Sequence, residues 1–123
     1  MGEFRKLAFD IEGRVIAKKN SRQIGYRGGR MVNFPSKRYE EFKETALWQL
    51  KRIKDKLKPP YDVRYIFYIK GKMDADLDNL IASINDILQE AGIIENDRLI
   101  HEMEAKKVMG GKDFKTTIEI FEL

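Results

Sequence analysis

The chain has no cysteine, one histidine and one tryptophan in 123 residues. The missing cysteines exclude disulfides and thiolate metal sites. No apolar run approaches the roughly 18 residues that a membrane span requires, and Met1–Asp10 lacks the apolar core of a secretory signal. These absences lead to the expectation of a soluble, cytoplasmic protein with no membrane partner. There is no internal repeat and no low-complexity tract. Two further absences are local and opposite in sign: no acid occurs between Gly13 and Tyr39, and no basic residue between Met73 and Asp97.

What fills those two segments is complementary. The first holds eight basic side chains, Arg14, Lys18, Lys19, Arg22, Arg27, Arg30, Lys37 and Arg38, so the net charge of +4 is polarised along the chain. The second holds Asp74, Asp76 and Asp78 at alternate positions, then Asp86, then Asp97 beyond an Ala91-Gly92 break. Like charges at such spacing repel unless a cation or solvent separates them, and a hard cation such as Mg²⁺ or Mn²⁺ would remove the cost. A basic segment beside an acidic cluster is the distribution expected when one part grips an anionic polymer and another presents it to metal.

One domain spanning 1–123 is expected from the length and the 42% hydrophobic fraction, and dimerisation would bury more apolar surface on so small a core. Phe4 to Glu12 alternates as a strand turning at Glu12-Gly13. Gly25, Gly28 and Gly29 mark turns in the basic stretch, with Arg27 and Arg30 at a loop tip. Ser36 is placed to cap a long helix whose end is crowded by Lys51, Lys54, Lys56 and Lys58 and which Pro59-Pro60 stops. Tyr61 to Lys70 is the strongest strand. From Leu77 apolar residues recur at helical spacing through Ala91, which leaves Asp78, Ala82, Asn85 and Asp86 on one polar arc. Two strands follow, about Leu99–Met109 and Phe114–Phe121, joined by a turn at Gly110–Asp113. The expected fold is therefore α+β, a two-layer domain with a mixed β-sheet and two main helices on one face. In it Asp76, Asp78 and Asp97 are expected to converge at one edge.

Two other readings of the aspartates fit less well. An EF-hand loop would place Gly at its sixth position and Glu at its twelfth, where this chain has Asn79 and Asn85. Helix capping uses one aspartate and does not account for Asp86 or Asp97. His101 is read as a strand residue, and Trp48 and Phe42 as core or dimer-interface aromatics.

Asp76-Leu77-Asp78-Asn79-Leu80, then Asp86, then Ala91-Gly92-Ile93-Ile94 and Asn96-Asp97, resembles the motif of the RusA family of Holliday junction resolvases. Ala17-Lys18-Lys19-Asn20-Ser21-Arg22 and Arg27-Gly28-Gly29-Arg30 are similar to segments of its phage-type members. The resemblance implies a homodimeric, Mg²⁺- or Mn²⁺-dependent endodeoxyribonuclease that nicks four-way DNA junctions. It implies Asp76, Asp78 and Asp97 as catalytic metal ligands, supported by Asp86 and Asp74. It implies contact with branched DNA through Lys18, Lys19, Asn20, Arg22, Arg27 and Arg30. The chain departs from the pattern at Ala82, where family members usually carry a lysine, and Lys70, Lys72, Lys106 and Lys107 are the alternatives for that charge. A junction-binding protein of weak activity, and a metal-dependent nuclease of other specificity, are the competing functions.

Overall fold

The aromatic and β-branched run Tyr61–Lys70 forms an interior strand of a four-stranded sheet in the computed structural model of the chain. The structure describes residues 5–17, 22–27 and 30–123, with 22–27 and 30–35 described as backbone only. In chain order the elements are β1 (Lys6–Glu12), β2 (Arg22–Arg27), β3 (Arg30–Pro35), α1 (Lys37–Leu50), β4 (Tyr61–Lys70), α2 (Leu77–Glu90), a 3-10 turn (Asp97–Leu99), β5 (Ile100–Gly111) and β6 (Lys115–Glu122). The main sheet runs β1-β6-β4-β5; β2 and β3 pair as a separate two-stranded ribbon.

Alternation along the strands sorts the two faces. Leu7, Phe9 and Ile11 of β1, Ile118 and Ile120 of β6, and Val63, Tyr65 and Phe67 of β4 are buried. Tyr39, Phe42, Ala46 and Leu50 of α1 and Leu80, Ile84, Ile87 and Leu88 of α2 complete this core. Each fully buried Leu or Ile stabilises the fold by about 1.5–3 kcal/mol, so this one helix-covered face holds the domain together. The opposite face is open and charged, with Lys6–Glu119 at 2.6 Å and Arg64 reaching Asp62 at 3.3 Å and Glu104 at 3.6 Å. The architecture is the α+β arrangement expected. Among the described residues no helix is long and apolar enough to cross a membrane.

The structure adds detail to two local expectations and corrects a third, the end of α1. The turn at Gly110–Asp113 joins β5 to β6, but β4 lies between them, parallel to β5 and antiparallel to β6. The chain crosses the end of β4 there: Gly71 N–H donates to Gly111 O and Gly110 N–H to Gly71 O, both at 3.0 Å, with Gly71 and Gly110 at φ +56 and +83. Helix α1 begins as expected, Ser36 Oγ accepting from Tyr39 N–H at 3.2 Å, but it ends at Leu50, well before Pro59. The segment beyond is drawn back to the core by buried Leu57 and by Lys56 Nζ donating to Gly92 O at 3.1 Å. Of the two aromatics expected in the core or at a dimer interface, Phe42 is in the core and Trp48 is 71% exposed in the single chain.

The basic ribbon is positioned by its ends. Ser36 hands β3 to α1, and on the other side Ser83 Oγ of α2 donates to Ile16 O at 2.9 Å. The acid-free segment therefore leaves the core directly beside α2.

Candidate active site

Strand β4 is followed by a tight turn at Gly71 and then by the acidic stretch, which leads straight into α2. Asp76 occupies the N-cap position, yet its carboxylate makes no capping hydrogen bond with the helix N–H groups. Its only partner given by the described residues is the Asn79 side-chain amide, donating to Oδ2 at a long 3.5 Å. Asp78 Oδ1 accepts from Asn79 N–H at 3.0 Å. Two carboxylates two residues apart, at the positive end of a helix dipole and only partly engaged, retain lone pairs for a cation or a donor.

Asp74 is differently placed. Its Oδ1 accepts from Ala75 N–H at 2.8 Å and from Lys107 Nζ at 2.7 Å, and the same ammonium donates to Ala75 O at 3.0 Å. The bond from Lys107 is the main reason its carboxyl titrates below the usual carboxylate range, with the Ala75 N–H adding to it. Lys107 thus anchors the loop that precedes Asp76 from the neighbouring strand β5. Of the four lysines considered for the charge missing at Ala82, it is the one in contact with the acidic loop; Ala82 itself is exposed.

The remaining acids lie farther along α2 and on different flanks. Asp86 faces α1, where burial first and then the Asp86 charge push the Tyr39 hydroxyl up to about 12. Asp97 opens the 3-10 turn, its N–H donating to Gln89 Oε1 at 2.8 Å in the last turn of α2. Its charge also acts on Tyr65, whose hydroxyl is raised chiefly by burial, partly offset by its bond to Asn85. Asn85 is not on the exposed arc expected for it. It is buried, and Tyr65 Oη donates to its Oδ1 at 2.6 Å. Tyr65→Phe leaves that buried oxygen without its partner. The expected cost is about 1–3 kcal/mol, read as a lower urea midpoint with an unchanged slope.

A parallel β4–α2–β5 unit has a geometric consequence. Its helix starts beyond the C-terminal end of one strand and finishes at the N-terminal end of the next. Asp76 and Asp78 therefore sit at one end of α2 and Asp97 at the other, and the 14 residues between its bounds rise about 21 Å. Among the described residues no three Asp, Glu or His side chains are grouped to hold a metal ion. Hard oxygen donors of the kind Mg²⁺ or Mn²⁺ takes are present at Asp76 and Asp78, two residues apart. A cavity of about 560 Å³ among the described residues lies elsewhere: Trp48, Ile53, Glu90 and Ile93 line it, and none of these aspartates does.

The family model of Endodeoxyribonuclease RusA matches residues 12–121, which includes every element from the end of β1 to β6. The chain belongs to the RusA family. It is also 31% identical over 98 residues to a protein described as crossover junction endodeoxyribonuclease RusA from Aquifex aeolicus (strain VF5), covering 77% of this chain and 76% of that one. The match to a family of endodeoxyribonucleases bears out the resemblance read from the aspartate motif. Of the DNA-contact residues expected in this RusA-family chain, Lys18, Lys19 and Asn20 lie outside the described residues. Arg22, Arg27 and Arg30 fall on β2 and β3, whose side chains are likewise outside the description; in the backbone register Arg27 and Arg30 stand opposite each other at the end of the ribbon. The contacts of Lys107 with Asp74 and of Tyr65 with Asn85 could not be read from spacing, because the partners come from different elements, whereas Asn79, read as part of the aspartate motif, meets Asp76 and Asp78 within the first turn of α2.

Proposed function

We propose that this chain is a divalent-metal-dependent endodeoxyribonuclease that resolves four-way DNA junctions by phosphodiester hydrolysis, acting as a homodimer. The observation that carries the reading is the Asp76 carboxylate, set at the N-cap of α2 without the helix N–H partners a capping residue takes, in a chain of the RusA family. A residue kept at a cap position but not used as a cap is available for another ligand.

Asp76 and Asp78, with Asp97, would hold Mg²⁺ or Mn²⁺. Such a cation, when bound, polarises the phosphate and stabilises charge on the leaving oxygen. The chain's own contributions are to place these oxygens at the start of a rigid helix, to fix the preceding loop through Lys107, and to present the basic ribbon beside it. Because Asp97 lies at the far end of α2, the reading assigns the third carboxylate to the partner's Asp97, so that each site is shared across the dimer. A two-fold dimer also matches the symmetry of a four-way junction, in which two strands are cut.

Comparing cleavage of a four-way junction, a flap, a plain duplex and single-stranded RNA in Mg²⁺ tests this function. Preferential paired nicking of the junction is expected; equal cutting of the flap would shift the reading to a nuclease of other specificity. Metal-independent binding without nicking would favour the junction-binding protein that Ala82 invites.

Lys107→Met is expected to slow junction nicking about ten- to a hundredfold, the range a misplaced catalytic loop produces, with junction affinity within about twofold of wild type. Its stability should be nearly unchanged, since the partner Asp74 is exposed. Lys107→Arg, which keeps the charge, should recover part of the rate. An unchanged rate in Lys107→Met removes the positioning role.

Junction affinity should fall steeply with salt. If about four to six side chains of the Arg14–Arg38 segment meet phosphates, log K against log salt has a slope of roughly −3.6 to −5.4, at about 0.9 per contact. Neutralising Arg27 and Arg30 together should flatten it by up to about 2 units. A slope left unchanged places the DNA surface elsewhere.

A further inference from the structure

The two edges of the main sheet are finished differently. At β1 the side chain of Gln49 closes the outer edge at Glu12, accepting from its N–H at 2.8 Å and donating to its C=O at 3.0 Å. At the other edge β5 runs for 12 residues, about twice the common strand length, and among the described residues nothing pairs with its outer side. It exposes Met103, Val108 and Met109, 50%, 38% and 44% accessible. A long, apolar, uncovered edge is a template for another strand.

The charges on β5 identify which strand. Glu102 and Glu104 occupy its first half, Lys106 and Lys107 its second. Glu104 is paired to Arg64 and Lys107 to Asp74, while Glu102 and Lys106 have no ion-pair partner among the described residues. A parallel copy of the same strand would set acid against acid and base against base. An antiparallel copy sets the acidic half against the basic half, and residues directly opposite share a face.

We propose that β5 pairs antiparallel with β5 of a second copy of this chain, about a two-fold axis passing at Glu104 or Ala105. These registers bring Lys106 opposite Glu102 or Glu104 of the partner and join the two main sheets edge to edge. The inference rests on the homodimeric reading above and supplies its interface. It also runs the Asp97 end of one β5 alongside the Asp74–Lys107 end of the other, which is the arrangement a shared site needs.

The absence of native cysteine makes the interface directly testable. Glu104→Cys and Ala105→Cys each carry a single thiol, and whichever residue lies on the axis faces its own copy within disulfide reach. Under mild oxidation one of them should give a covalent dimer, while Ala8→Cys on the opposite edge strand gives none. Independently, Lys106→Glu should weaken dimerisation at least about tenfold, and so should the double variant Glu102→Lys with Glu104→Lys, because each gives the face shared by positions 102, 104 and 106 a single sign of charge. An equimolar mixture of the two should form heterodimers about as tightly as wild type. If wild type is a dimer by light scattering but neither cysteine cross-links and the charge variants dimerise normally, the β5 interface is wrong and the nuclease assignment stands. If wild type is a monomer that nicks junctions, the interface and the shared site both fall, again leaving the nuclease. A cysteine variant that cross-links through β5, together with a wild type that does not nick junctions, would overturn the function and keep the interface.

Discussion

Asp76→Asn, Asp78→Asn and Asp97→Asn are each expected to lower junction nicking in Mg²⁺ by on the order of a thousandfold or more, equivalent to about 4 kcal/mol of transition-state stabilisation. Asparagine keeps the size and one oxygen of the side chain but removes the charge on which a hard cation depends. Junction affinity should be unchanged or tighter, because the same substitution removes a negative charge that repels phosphate. Folding should be nearly unaffected at Asp76, Asp78 and Asp97, all of which are exposed and outside the core. Single-turnover nicking and binding measured on the same preparations separate these effects. Asp78→Asn nicking at near wild-type rate would remove the assignment of the site.

The second large effect appears only in a mixture. Asp78→Asn and Asp97→Asn alone are expected to be inert, but combined in equal amounts and allowed to exchange subunits they should regain activity. With each site built from Asp76 and Asp78 of one protomer and the partner's Asp97, a heterodimer of the two variants has one site with both substitutions and one with none. Random exchange makes about half of the dimers heterodimers, each with one intact site, so about a quarter of the wild-type sites return. Those dimers hold a single working site, so they nick one strand and do not make the paired cut. If instead every site were contained within one chain, each protomer in the mixture would carry its own lesion and nothing would be regained. The separation of Asp76 from Asp97 along α2 is what makes the first result the expected one.

The local signals were the legible ones. Tyr61–Lys70 and the helix from Leu77 could be read because burial periodicity and composition act within a few residues, and Ser36 because capping is a contact over three positions. The insertion of β4 between β5 and β6 was not legible, since strand order is decided by which distant strands find each other and leaves no mark on the turn between two of them. For the same reason the polar arc of α2 was drawn too wide. Asn85 looks like a surface residue by type and is buried because Tyr65, 20 positions away, meets its oxygen. The aspartate motif pointed to the two aspartates at the start of α2 and to the family. It could not show that Asp97 lies against the opposite end of the helix, nor that Lys107 crosses 33 positions to reach Asp74.

Trp48 gives the molecule a built-in optical reporter. It is the sole indole, 71% exposed, with Lys51 Nζ 5.2 Å from its ring centre, at the end of the molecule where α1 and α2 finish. At that exposure its emission is expected to resemble that of a ring in water and to change little on unfolding, so far-UV dichroism is the better monitor for Tyr65→Phe. Anything that settles over the ends of the two helices shifts its emission to the blue and shields it from iodide.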